Sequence, residues 1–151
     1  MLTKNFVMPD TDSVTAMCAM LFGEGSAVTP IDAPADTAFV GRMVCDDNIG
    51  VASCYCDMDF AAYSSSALSM MNADIANEFI EAGALSEEAR GNLYEVMNVF
   101  SSLYMDDKSD HLRLLSLEQG DFWVIPFPTE ITHVSITVPG FGSGTFSFAI
   151  K

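Results

Sequence analysis

Two polar side chains three residues apart are the part of the sequence best suited to chemistry. Glu95 and Asn98 bound the stretch Glu95-Val-Met-Asn98, the only Glu-x-x-Asn in the chain. Residues at this spacing are neighbours on an α-helix, so the carboxylate and the amide would share one helix face. An amide suits the positioning of a water molecule, because it offers both a hydrogen-bond donor and an acceptor and stays neutral.

The residues around this pair have the spacing of one amphipathic helix over residues 86–105. Its apolar stripe consists of Leu93, Val96, Met97, Phe100, Leu103 and Tyr104. Gly91, Glu95, Asn98 and Ser102 recur at i, i+4, i+7 and i+11, and therefore predict a polar ridge on the opposite side. Gly91 and Ser102 are small, so another surface would approach the backbone closely there, which makes them candidate partner-binding residues. The alternative is that the ridge is only the solvated face of an amphipathic helix.

The cysteines and histidines make a weaker case for a site. Cys54-Tyr-Cys56 has the spacing of half a metal site, but a second pair of ligands is missing, and His111 and His133 stand alone. Residues two apart on a strand share a face, so Ala52, Cys54 and Cys56 are expected to point together into the core. A free cysteine behaves as a small hydrophobe. We therefore expect buried thiols and no metal, and a thiol or metal protein is the least favoured function.

The composition limits the partners of the chain. The 151 residues include 6 Lys and Arg against 21 Asp and Glu, which gives a formal net charge of −15. Nucleic acids and anionic membranes attract basic surfaces, so neither is expected as a partner. Half of the residues are apolar, which excludes intrinsic disorder and fits one domain over residues 1–151. The N-terminal region has no signal-peptide pattern, and the apolar run 16–22 is too short to span a membrane, so a cytoplasmic protein is expected.

The order of predicted elements indicates the fold class. Polar residues that precede apolar residues at helical spacing predict the helix starts Asp10, Asp57 or Asp59, Asn72, and Ser86. Strands are predicted at residues 26–33, 38–57 (as a hairpin), 111–117, 122–126, 131–138 and 145–150. The glycine-rich stretch 139–144 has no following Lys or helix, so a turn is expected rather than a phosphate-binding loop. This order predicts an α+β fold with a mostly antiparallel sheet and helices packed on it.

Three stretches of the sequence resemble the CheC/CheX family of chemotaxis phosphatases. They are residues 50–62, which begin Gly-Val-Ala-Ser-Cys-Tyr-Cys, residues 67–71 with the sequence Ala-Leu-Ser-Met-Met, and residues 92–98, which end in Glu-Val-Met-Asn. In that family a strand hairpin runs into a helix, a short connector follows, and a long central helix carries Glu-x-x-Asn. The same order extends over residues 10–150 of this chain, which is most similar to the CheX-like members with a single site.

The resemblance implies a reaction and a role for each residue of the pair. The reaction is the hydrolysis of an aspartyl phosphate on a CheY-like response regulator, without a covalent intermediate. Asn98 would orient the attacking water, and Glu95 would dock by contacting a lysine of the regulator. Phosphoryl transfer leaves little covalent work to the protein, so positioning and charge stabilisation dominate. Any metal ion would belong to the regulator, so no cofactor is implied for this chain, and a homodimer that pairs through its sheets is implied.

Two departures from the family pattern keep a second hypothesis open. Gly91 stands where the family has Asp or Ser, and Pro126 and Pro128 lie farther after Asn98 than the family's proline. The chain is therefore either a phosphatase that acts through Glu95 and Asn98, or a CheC/CheX-like binding module. Such a module would dock on a receiver domain or a chemotaxis protein without hydrolysis.

Overall fold

The computed structural model describes residues 6–34, 36–47, 49–121, 128 and 130–151 of the chain. The helices in these residues are α1 (Thr11–Phe22), α2 (Met58–Leu68), α3 (Ala73–Ala82) and α4 (Glu87–Phe100), and a 3-10 helix, Ser101–Tyr104, continues α4. The strands are β1 (Ala27–Pro30), β2 (Phe39–Cys45), β3 (Gly50–Cys56), β4 (Leu112–Gln119), β5 (Glu130–Val138) and β6 (Gly142–Ile150). All pairings among these strands are antiparallel, which confirms the predicted α+β class.

The helices lie against a single sheet with the strand order β1-β5-β6-β3-β2-β4, so that β1 and β4 form its edges. Alternate strand residues face the helices and share one core with buried residues of α1, α2 and α4. Phe100 of α4 packs against Phe60 of α2 and Phe146 of β6, with ring centroids 6.3 and 5.1 Å away. Aromatic pairs at such distances add to the free energy gained by burial. This cluster fixes α4 against both α2 and the sheet.

The helix starts follow from short polar side chains that cap them. Each cap accepts a hydrogen bond from the backbone N–H three residues later, which otherwise has no partner within the helix. The four donor–cap pairs are Ser13 to Asp10, Phe60 to Asp57, Ile75 to Asn72, and Ala89 to Ser86, at 2.8 to 3.1 Å. The predicted starts are thereby confirmed, with Asp57 rather than Asp59 as the cap of α2.

The structure corrects two predicted boundaries. The helix predicted over residues 86–105 is α-helical only to Phe100. The turn predicted over residues 139–144 is confined to residues 139–141, because Gly142 already pairs with Val138. Gly144 lies within β6 where the backbone of Phe60 passes so close that a Cβ atom would overlap it, which explains a glycine in this strand. The strand predicted at residues 122–126 lies outside the described residues.

The cysteine side chains are part of the core. Cys18, Cys45, Cys54 and Cys56 are buried thiols outside any disulfide, and Cys54 and Cys56 face the core together with Ala52, as predicted. Burial raises the pKa of Cys18 to about 12 and raises the pKa of Cys54 further, because a thiolate loses its hydration there. Thiols held protonated in this way are poor nucleophiles and poor metal ligands.

Candidate functional site

Helix α4 is fastened to the rest of the molecule on two sides. Toward α2, the Asn92 side chain donates hydrogen bonds to the Ser69 hydroxyl at 2.6 Å and to the Ser65 carbonyl at 2.9 Å. The apolar residues of α4, among them Leu93 and Val96, are fully buried against the rest of the protein. The remaining side of α4 is open to solvent. The side chains on this exposed side therefore project from a helix that is held in place by its packing.

On the other side, α4 covers the outer edge of β4. An edge strand leaves every second N–H and C=O group without a partner strand. Polar side chains of α4 and of the following 3-10 helix bind these groups at a spacing of three or four residues. The pairs are Arg90 Nη2 to the Leu117 carbonyl (2.7 Å), Tyr94 OH to the Leu114 carbonyl (2.9 Å), the Leu114 N–H to Asn98 Oδ1 (3.0 Å), and Ser101 Oγ to the Leu112 carbonyl (3.3 Å).

A β-bulge in β4 places these backbone groups along the helix. Ser116 pairs with Arg42 and Leu114 with Met43, so Leu115 has no partner on β2. The extra residue shifts the alternation of the strand by one position. As a result, the backbones of Leu114 and Leu117 both face α4, although the two residues are an odd number apart.

The four residues of the predicted ridge have different environments. Gly91 and Glu95 are exposed, and the space beside Gly91 is open where a Cβ atom would stand. Ser102 is exposed as well, but it lies in the 3-10 helix, where its hydroxyl donates to the Val99 carbonyl at 2.8 Å. Asn98 is half-buried, since its oxygen is bound to the backbone of Leu114. The alternative of a merely solvated helix face therefore does not describe Asn98, whose partner on β4 could not be read from the spacing within one helix.

Two depressions flank the pair Glu95–Asn98. Asn98 lines a groove of ≈ 400 Å³ together with Met17 and Met20 of α1 and with Met105 and His111. Met20 is 71% exposed although it is apolar.

On the other flank, Gly91 lines a second groove of ≈ 430 Å³. Arg90 and Tyr94 also line it, on the side where their polar groups bind β4. Sequence reasoning missed these two residues as partners of a strand. The available signal was the spacing of four residues between Arg90, Tyr94 and Asn98, which places the three side chains on one helix face.

Two contacts between ionisable side chains lie near β4. Arg42 Nε lies 2.9 Å from Glu118 Oε2, and His111 Nδ1 lies 3.4 Å from Asp46 Oδ1. Both pairs are solvent-exposed, so they contribute little to stability. No cluster of three or more His, Cys, Asp or Glu side chains that would hold a metal ion occurs in the described part of the chain. Nor does any helix within these residues have the length and apolar character needed to cross a membrane.

Comparisons with solved structures identify the architecture. The structure is similar to FliY from Thermotoga maritima, with a TM-score of 0.64 and 11% sequence identity over 92% of this chain and 82% of that one. It is also similar to the CheX–CheY–BeF3–Mg2+ complex from Borrelia burgdorferi (TM-score 0.57, 13% identity, 95% and 99% covered) and to CheX from Vibrio vulnificus (0.57, 12%, 93% and 95%). The chain has a CheX-like fold. No protein-family model matches the sequence, and no match was found among curated proteins.

The CheX-like fold confirms what the resemblance of the sequence implied about architecture. At identities of 11 to 13%, the likeness concerns the fold alone. The long helix α4, which carries Glu95 and Asn98, lies beside the sheet edge β4 and presents an exposed side. The chemistry of this chain must be argued from these residues themselves.

Proposed function

We propose that this protein is a phosphatase that removes the aspartyl phosphate of a CheY-like receiver domain. The observation that carries the proposal is the placement of Glu95 and Asn98 on a rigid helix within a CheX-like fold. Glu95 is exposed, and Asn98, one helical turn away, lines a groove. The similarity to a structure in which CheX is in complex with CheY supports a receiver as the partner.

The proposed reaction is hydrolysis by a positioned water molecule. The water oxygen bonds to phosphorus while the bond between phosphorus and the aspartyl oxygen breaks, and the bonding electrons remain on the receiver's carboxylate. Both protons of the water stay with the phosphate as H2PO4−. Asn98 holds the water in line with the breaking bond, so its contribution is one of orientation rather than covalent chemistry.

Glu95 is proposed to dock the receiver rather than to take part in proton transfer. Its carboxylate is exposed one helical turn from Asn98, where a cationic side chain of a partner can reach it. Gly91, one turn earlier, leaves the helix backbone uncovered, so a partner can approach closely. Replacement of Glu95 by Gln should therefore raise the KM for the receiver more than it lowers kcat.

The test is the loss of phosphate from receiver domains encoded near this protein. Each receiver is phosphorylated with a small-molecule phosphodonor, and its first-order decay is followed with and without the protein. The wild type should accelerate the decay of one receiver, and Asn98→Ala should abolish the acceleration. Asn77→Ala is the matched control, because Asn77 is an exposed asparagine on α3 in a similarly spaced Asp-x-x-Asn. Equal decay with and without the wild type for every receiver would contradict the proposal.

The second candidate is a binding module that docks on a receiver without hydrolysis. The hydrogen bond between Asn98 and Leu114 favours it, because that bond gives the asparagine a structural role independent of catalysis. Gly91, which replaces an acidic or hydroxyl residue of the family pattern, favours it as well. Binding of a phosphorylated receiver without faster decay would identify this function.

A further inference from the structure

The hydrogen bond between Asn98 and Leu114 fixes which atom of the amide faces the strand. The backbone N–H of Leu114 can only donate, and the sole acceptor of an asparagine side chain is its Oδ1. The 3.0 Å distance is that of an ordinary N–H···O bond. The oxygen of Asn98 therefore faces β4, and the NH2 group faces away from it.

The Leu114 peptide unit is held on both of its polar atoms by one helix face. Tyr94 OH donates to the Leu114 carbonyl at 2.9 Å, while Asn98 accepts from the N–H of the same residue. Leu114 is 2% exposed, so its backbone does not exchange these partners freely with water. Tyr94 thus fixes the strand segment that in turn fixes the Asn98 amide.

The NH2 group of Asn98 is available for a ligand. Among the residues that the structure describes, none accepts a hydrogen bond from Nδ2. Asn98 also lines the groove beside Met17 and Met20, so a partner reaches the side chain from there. A water molecule can accept one hydrogen bond through one lone pair and attack phosphorus through the other.

From this geometry we infer that Asn98 acts as a hydrogen-bond donor through Nδ2, oriented by the Leu114 N–H, and that Tyr94 is a positioning residue for it. The inference rests on the proposed function, and it states which partner donates the hydrogen bond between Asn98 and the water molecule. The attacking water accepts a hydrogen bond from Asn98 and bonds to phosphorus, and the aspartyl carboxylate leaves. A side chain that keeps the bond to Leu114 but cannot donate should then fail to catalyse.

The experiment compares Asn98→Asp, Asn98→Ala and Tyr94→Phe with the wild type. Asn98→Asp retains an acceptor for the Leu114 N–H but has no donor at neutral pH. The rate of receiver dephosphorylation should fall about 100-fold or more in Asn98→Asp, as expected for loss of one oriented donor. Amide hydrogen exchange of Leu114, measured by NMR, should stay slow in Asn98→Asp and become about 3- to 10-fold faster in Asn98→Ala.

A double-mutant cycle tests whether Tyr94 acts through Asn98. Tyr94→Phe should lower kcat about 3- to 10-fold with little change in KM, because one hydrogen bond to Leu114 is lost. The same substitution should have no effect on the small acceleration that remains in an Asn98→Asp background, because no donor is left there to orient. Tyr63→Phe is the matched control and should leave kcat unchanged, because this ring on α2 packs against Phe141, with the centroids 6.3 Å apart.

Three outcomes would overturn the inference. The first is that Asn98→Asp retains more than a third of wild-type activity. The second is that the exchange rate of the Leu114 amide does not change in Asn98→Ala. The third is that Tyr94→Phe has equal effects in both backgrounds. If the wild type accelerates the decay of no receiver, the proposed function and the donor role both fail. Leu114 exchange would then still decide whether the orienting bond exists.

Discussion

The side-chain oxygen of Asn98 accepts a hydrogen bond from the backbone N–H of Leu114 at 3.0 Å, which joins the long helix to the edge of the sheet. This bond has two consequences. It occupies one polar group of an edge strand that would otherwise be open to pairing with another chain. It also orients the amide that the proposed function requires.

Substitutions of Asn98 should separate these two consequences. Asn98→Ala leaves the Leu114 N–H without its partner, so the free energy of unfolding should fall by about 0.5–1.5 kcal/mol. Asn98→Asp keeps an acceptor for the Leu114 N–H, so its free energy of unfolding should fall less. Urea denaturation measures both values, and Asn77→Ala on exposed α3 should stay within about 0.5 kcal/mol of the wild type. Equal losses for Asn98→Ala and Asn77→Ala would show that the bond to Leu114 does not stabilise the protein.

Two glycines should respond to alanine in opposite directions. Gly91 lies within α4 with open space beside it, so Gly91→Ala should stabilise the protein by about 0.5–1 kcal/mol through helix propensity. Gly144 lies against the backbone of Phe60, so Gly144→Ala should lower the free energy of unfolding by about 1–3 kcal/mol or more. Thermal denaturation of the two variants checks both signs. A stabilising Gly144→Ala would contradict the close packing of β6 against α2.

The N-cap of α2 should make stability depend on pH. Burial raises the pKa of Asp57 in the folded state, although its bond from the Phe60 N–H acts in the opposite direction. A carboxyl group with a raised folded pKa binds its proton more tightly when folded. Its contribution to stability is therefore fully present below the unfolded pKa of about 3.9 and is lost as the pH rises through the folded pKa.

Asp57→Asn tests this sign, because asparagine is an equally good N-cap and cannot ionise. The free energy of unfolding of Asp57→Asn relative to the wild type should increase as the pH is raised from 3 through the folded pKa. Urea titrations at several pH values measure the difference. A difference that shrinks with rising pH would mean that the charged carboxylate is favoured in the fold.

Salt should speed the encounter with an acidic receiver. The net charge of −15 repels other acidic proteins over a distance comparable with the Debye length, about 8 Å at physiological ionic strength. Stopped-flow association rates should therefore rise as salt is added from low concentration. A rate that falls with salt would show that local charge pairs, such as one to Glu95, dominate the approach.

Much of the fold could be predicted because its signals are local. Each helix cap binds an N–H only three residues later, so a short stretch of sequence contains both the donor and the acceptor. The caps are Asp10, Asp57, Asn72 and Ser86. The end of α4 could not be predicted from periodicity, since an apolar residue such as Tyr104 is buried equally well from a 3-10 helix.

The candidate site was only partly predictable for a physical reason. Glu95 and Asn98 share a helix, and their proximity follows from their spacing. The partner of Asn98 is Leu114, whose position depends on the strand order and on the bulge at Leu115. The homodimer implied by the resemblance stays a prediction. Since α4 side chains occupy the β4 edge, such a dimer should not form by extension of the sheet along β4.

The most direct test of the central claim is the first-order decay of a phosphorylated receiver in the presence of this protein. We expect acceleration that saturates with receiver concentration, disappears in Asn98→Ala and persists in Asn77→Ala. A receiver that binds the wild type yet loses its phosphate at the unassisted rate would contradict the proposed phosphatase function. In that case Asn98 serves the attachment of α4 to β4, and the protein is a binding module.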